Sequence, residues 1–127
     1  MDLAGIRSGL DWLVRNMEKP TNFKDYRPFI SYRSSRYGKA TLFENEHILV
    51  GLNCLQPGQS MEKHAHEVQV RFYLVLEGKG RVRVGEEDKE AEPGLVIWIP
   101  AGHAHTIENT GSEPMIMLAG IAPPGAD

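Results

Sequence analysis

Residues 57–80, PGQSMEKHAHEVQVRFYLVLEGKG, decide how this chain is read. The stretch opens on a Pro-Gly turn, and its second half, from Val68 to Glu77, carries the β-branched and aromatic side chains of a strand. Between the two, at the strand entrance, His64 and His66 stand one residue apart. Side chains at i and i+2 of a strand share a face, so two imidazoles in this register can converge on one point, as a metal requires. A second stretch, residues 94–109, GLVIWIPAGHAHTIEN, brings a third candidate ligand, His105, from a distant part of the chain.

The same pattern extends outward from these two stretches. From Ala40 onward, short β-type runs alternate with Gly, Pro and acidic turns, which predicts strands over residues 39–43, 47–56, 68–77, 81–85, 95–100, 105–109 and 115–121. That spacing is the signature of an all-β sandwich or barrel. Gly78-Lys79-Gly80 predicts a tight hairpin, because glycine reaches positive φ without strain. Arg81-Val82-Arg83-Val84 alternates strictly, turning the valines to a core and the arginines to water, and Gly85-Glu86-Glu87-Asp88 reads as a solvated turn. Upstream, Leu3, Ile6, Leu10, Leu13, Val14 and Met17 recur at helical steps and predict a short amphipathic helix ending before Pro20. Its apolar stripe needs a cover, from this domain or from a neighbouring subunit. Residues 20–40 read as an extended arm or a solvated loop, with a short edge strand at Phe29, Ile30 and Tyr32. The expected organisation is a helix and arm at 1–39, a barrel at 40–122 and a frayed tail at 123–127, forming one domain of 127 residues.

Composition excludes several function classes. A net charge of -3, with Lys and Arg scattered along the chain, offers no basic stripe for nucleic acid. No apolar run is long enough to span a bilayer, and the N-terminus lacks a basic start followed by an apolar signal core, so the expected location is cytoplasmic. The one cysteine, Cys54, lies in an apolar alternation and reads as a buried, inert thiol. His47 follows Glu44-Asn45-Glu46 at a turn and reads as solvated.

Together the two histidine stretches resemble the paired motifs of the cupin superfamily. The first motif is a glycine, five residues, His-x-His, three or four residues, a glutamate, six residues and a glycine; it maps onto Gly58, His64, His66, position 71 and Gly78. The second is a glycine, five residues, Pro-x-Gly, two residues, a histidine, three residues and an asparagine. It maps without a gap onto Gly94, Pro100, Gly102, His105 and Asn109. The resemblance covers roughly residues 40–121. It implies an all-β, jelly-roll-like double-stranded β-helix barrel, here with a short N-terminal helix, and a single divalent transition metal (Fe, Mn, Ni, Zn or Cu) near one end, held by His64, His66 and His105. A homodimer is expected from the resemblance and from the uncovered helix.

One position departs from the motif. Where the family has its glutamate ligand this chain has Arg71, a permanent cation with no lone pair to give a metal. Gln69, two residues earlier and on the same face of a regular strand, offers a carbonyl oxygen for the vacant place; otherwise the site has three histidines and water. Glu67 points away in a regular strand and ranks below Gln69. If Arg71 faces inward it can clamp a ligand carboxylate; if a bulge shifts the strand, Gln69 faces the metal and Arg71 snorkels to the surface. Tyr73 and Trp98 are open between core and pocket lining, and His103, two residues before His105, reads as a rim histidine; all three join Arg71 as candidate substrate contacts. The expected function is a metal-dependent enzyme, of the oxygenase or Lewis-acid isomerase and lyase kind, acting on a small anionic or oxygenated molecule. The alternatives are a non-catalytic small-molecule binding or sensing cupin and, third, a structural zinc site, against which the open coordination position argues.

Overall fold

Alternation of apolar and polar side chains after residue 37 becomes strand after strand. The computed structural model describes residues 21–63 and 68–125, and their nine strands are all antiparallel to their neighbours. These are β1 (Gly38–Glu44), β2 (Leu49–Leu55), β3 (Ser60–Lys63), β4 (Val70–Glu77), β5 (Gly80–Val84), β6 (Glu87–Ala91), β7 (Val96–Ile99), β8 (His105–Glu108) and β9 (Met115–Ala122). They form a five-stranded sheet in the order β1-β2-β9-β4-β7 and a four-stranded sheet in the order β3-β8-β5-β6. This is the double-stranded β-helix. The expected N-terminal helix, and with it His64, His66 and Glu67, lies outside the described residues.

The central strands of the larger sheet are apolar on both faces, which is why β2 and β9 read as nearly continuous hydrophobic runs. Leu55, Met115, Met117 and Ala119 face the smaller sheet and join Met61, Val82 and Ile107 in the main core. Leu52, Cys54 and Ile116 face the other way. Their cover is the arm: Tyr26, Phe29 and Ile30 pack against them. Polar ties fix the arm in place, since the Tyr26 hydroxyl donates to Glu77 at 2.7 Å and the Lys24 ammonium donates to the Leu42 carbonyl at 2.7 Å. At Gly38 a methyl group would overlap the Ser31 carbonyl, so glycine lets the arm cross β1 closely. Cys54, wholly buried beneath this cover, has its thiol pushed above the ordinary value by burial. At mildly alkaline pH a thiol reagent should therefore label the native protein at least about a hundredfold more slowly than the unfolded chain. Rapid labelling of the folded protein would mean that the arm leaves its sheet.

Three local expectations are corrected. Phe29, Ile30 and Tyr32 are not a strand: Arg27–Phe29 is a single 3-10 turn, with Pro28 in its first positions, where its missing N–H is tolerated. Gly78-Lys79-Gly80 is not a hairpin, because β4 and β5 belong to different sheets; the segment is a crossover between them. Gly78 adopts φ +83°, and a side chain there would overlap the Pro114 carbonyl as well. The turn expected at residues 85–88 is shorter, since Glu87 already pairs with Val84 and opens β6. β6 is an edge strand whose first four residues are exposed, and charge on an exposed edge deters pairing with another chain. The Arg81–Val84 alternation is as read, with Val82 buried and both arginines in water.

Candidate functional site

Rows of inward side chains run across the larger sheet, and the middle row is built from small residues. Tyr73 on β4 pairs with Ala119 on β9, Ala119 with Gly51 on β2, and Gly51 with Thr41 on β1. With one methyl group and one hydrogen in the centre of that row, the two sheets cannot close on each other. A cavity of about 250 Å³ results, room for roughly eight waters. Arg71 and Tyr73 line it from β4, Lys39 and Thr41 from β1, and Met61 and Lys63 from β3 of the smaller sheet.

Arg71 is 4% exposed, so its guanidinium stays inside and does not snorkel. Strand parity holds, because Arg71, Tyr73 and Val75 alternate inward with Phe72 and Leu74 on the opposite face. Gln69 is buried with Arg71. The Arg71 Nη2 donates to Gln69 Oε1 at 3.1 Å, and the Gln69 Nε2 donates to the Pro123 carbonyl at 3.1 Å, tying the start of the C-terminal tail to the site. Tyr73 is 1% exposed and its hydroxyl shares a hydrogen bond with His105 Nε2 at 3.2 Å. The two rings lie 5.5 Å apart at a 52° tilt. His105 is buried at the start of β8, paired in register with Lys63, the last residue of β3. The residue after Lys63 in the sequence is His64, so β3 ends beside His105 one position short of the first motif histidine.

Other sequence candidates sit elsewhere. Trp98 points outward from β7 and is 61% exposed; with Val96, Val84 and the exposed His103 it lines a surface groove of about 580 Å³, apart from the interior cavity. The His103 Nδ1 lies 3.3 Å from the Ala101 carbonyl, within the turn that precedes β8. His47 is exposed beside Glu46, as its turn position implied. Lys39 and Lys63 were not singled out by sequence reasoning. Their signal was positional: Lys39 opens the first strand read from the sequence, and Lys63 immediately precedes the first motif histidine.

The arrangement can be set beside known proteins. The model of the family described as Cupin domain matches residues 51–121. Over 67 residues the chain is 36% identical to the oxalate-binding protein of Thermotoga maritima, a match covering 53% of this chain and 55% of that protein. Over 61 residues it is 39% identical to the glucose-6-phosphate isomerase of Pyrococcus horikoshii, covering 44% of this chain and 32% of the isomerase. The match thus spans about half the length of the first relative and a third of the second. The crystal structure of TT1209 from Thermus thermophilus superposes with a TM-score of 0.77 at 35% identity, over 81% of this chain and 98% of that one. Two antiparallel sheets, a glycine-bounded second motif ending in a buried histidine and asparagine, and a family match over more than half of the sequence lead to one conclusion: the chain belongs to the cupin family.

Proposed function

We propose that this cupin binds a small anionic molecule in the interior cavity, against a divalent transition metal held by His64, His66 and His105, with Arg71 gripping the anion. The observation that carries the reading is the buried Arg71 guanidinium, a permanent cation lining a cavity beside the Tyr73–His105 pair. An anion held by such a metal would also be attracted by the Arg71 guanidinium, through a charge-assisted contact. The names of two matched relatives refer to oxalate and to glucose 6-phosphate, both anions, in keeping with this reading.

The donor chemistry fits a metal. His105 is a buried imidazole, β3 ends in register with it one residue before His64, and imidazole nitrogen suits most first-row divalent ions. When bound, the ion supplies Lewis-acid polarisation of a ligand oxygen. The remaining roles belong to the chain. Arg71 orients the anion by a charge-assisted contact. Gln69 acts as a positioning residue, holding the guanidinium through Oε1 while anchored to Pro123; to serve as a metal donor that oxygen would have to release Arg71. Tyr73, through its hydroxyl, holds a proton at the cavity wall next to His105.

Arg71→Gln should lower the affinity for oxalate, measured by titration calorimetry, by about a hundredfold while bound metal is retained. Unchanged oxalate affinity would overturn the clamp. One matched relative is named as an isomerase and another as a binding protein, so metal analysis combined with O2 uptake and product analysis separates catalysis from capture.

A further inference from the structure

Lys39 and Lys63 enter the cavity from different sheets and converge on one aromatic ring. Tyr37 is buried, and the Lys39 and Lys63 ammonium groups lie 5.9 Å and 5.8 Å from its centroid, with the Arg36 guanidinium at 4.8 Å. Each cation is attracted to the ring, but that attraction does nothing for the repulsion among three positive groups around it. Among the described residues neither lysine pairs with a carboxylate. The Tyr37 phenol reports the local field: burial pushes it up, yet the hydrogen bond from Lys63 and the charges of Lys63 and Lys39 outweigh burial and hold it below its ordinary value.

Arg71 and Lys39 occupy opposite corners of the same cavity. Arg71 lies in the row of Ile121 and Leu49, whereas Lys39 lies in the row of Asn53 and Met117, with the Tyr73–Ala119–Gly51–Thr41 row between them and two strands separating β4 from β1. Both residues line one cavity of about 250 Å³, the volume of a small organic molecule.

We propose that the Lys39–Lys63 corner is a second anion subsite, so that the ligand is a compact bis-anion, with a carboxylate on Arg71 and a carboxylate or phosphate on the two lysines. This rests on the reading of Arg71 as an anion clamp and adds the class of molecule. A monoanion would satisfy one corner only. A bis-anion of four or five carbon atoms, or a shorter carboxylate bearing a phosphate, satisfies both.

The test is calorimetric titration of the full chain with matched pairs of probes: succinate against butyrate, and phosphoglycolate against glycolate. The bis-anion of at least one pair should bind about tenfold or more tightly than its monoanion, and the pair showing the larger ratio tells a carboxylate from a phosphate at the lysines. In the Lys39→Met/Lys63→Met double variant, which keeps both apolar stems, the ratio should fall to about one. If thermal unfolding shows the double variant damaged, Lys39→Met alone should give an intermediate ratio. No preference in the wild-type protein, or a preference that survives the lysine substitutions, overturns the subsite. Arg71→Gln should weaken succinate and butyrate together. If it weakens neither while the lysine-dependent ratio persists, the clamp has failed and the second subsite stands.

Discussion

Asn109→Ala should lower the free energy of unfolding by about 3 kcal/mol, read as a lower urea midpoint with an unchanged slope. Asn109 is 1% exposed, and its amide does the work of three connections. The Nδ2 donates to the carbonyls of Leu55 and Glu113, both at 2.8 Å, and Oδ1 accepts from the Gly111 N–H at 2.9 Å. Its backbone adds two more links, donating to the Gln59 carbonyl and accepting from the Gly58 N–H. The side chain thus joins the end of β2 to the loop that launches β9, and the backbone of the same residue adds the turn that launches β3. Truncation strands two carbonyls and one N–H, and each buried group left without a partner carries a penalty of roughly 1–3 kcal/mol, part of which water or relaxation recovers. Asn109→Asp sharpens the test: it keeps the shape but sets a carboxylate against the Leu55 and Glu113 carbonyls, and should be at least as damaging at neutral pH. A loss under about 1 kcal/mol for Asn109→Ala would mean that these loops are held by their other contacts.

Asn109 also marks where sequence reading stops. The motif spacing placed it correctly as a fixed position, but which groups it ties together depends on strands far apart in sequence. Strands β1, β2, β4, β5, β7, β8 and β9 were legible because each alternates or is continuously apolar. β3 and β6 were not, for physical reasons: SMEK offers one apolar side chain, and EDKEA is an exposed, charged edge. The Gly78–Gly80 crossover looked like a hairpin because glycine permits both, and only the assignment of β4 and β5 to separate sheets decides between them. At the site, the inward direction of Arg71 follows from period two and was open only to a bulge that does not occur between Val70 and Val75. The cavity itself was illegible. It exists because Gly51 and Ala119 meet across β2 and β9, and the lysines share it because β1 and β3 come from different sheets.

That origin of the cavity yields the second large effect: Ala119→Leu should abolish ligand binding while leaving the fold as stable as before or more so. Ala119 is 3% exposed, faces the main core and lines the cavity between Tyr73 and Gly51. Leucine adds three carbon atoms to a space bounded by Met61 and Tyr73, each worth about 0.8 kcal/mol when buried, set against a strain of about 1–3 kcal/mol if the fit is imperfect. The two terms nearly cancel, so the unfolding temperature should change little. Binding is different, because the added side chain stands between the Arg71 and Lys39 corners and a ligand must displace it or not enter. A loss of oxalate affinity of about a hundredfold or more is expected, a scale set by the desolvated contacts that the anion would forfeit. Since Ala119 carries no charge and is not a candidate metal ligand, metal content should be unaltered, which separates this variant from any loss at His105. If Ala119→Leu binds oxalate like the wild type and remains fully folded, the anion site lies outside this cavity, and the exposed groove at Trp98 and His103 becomes the place to look.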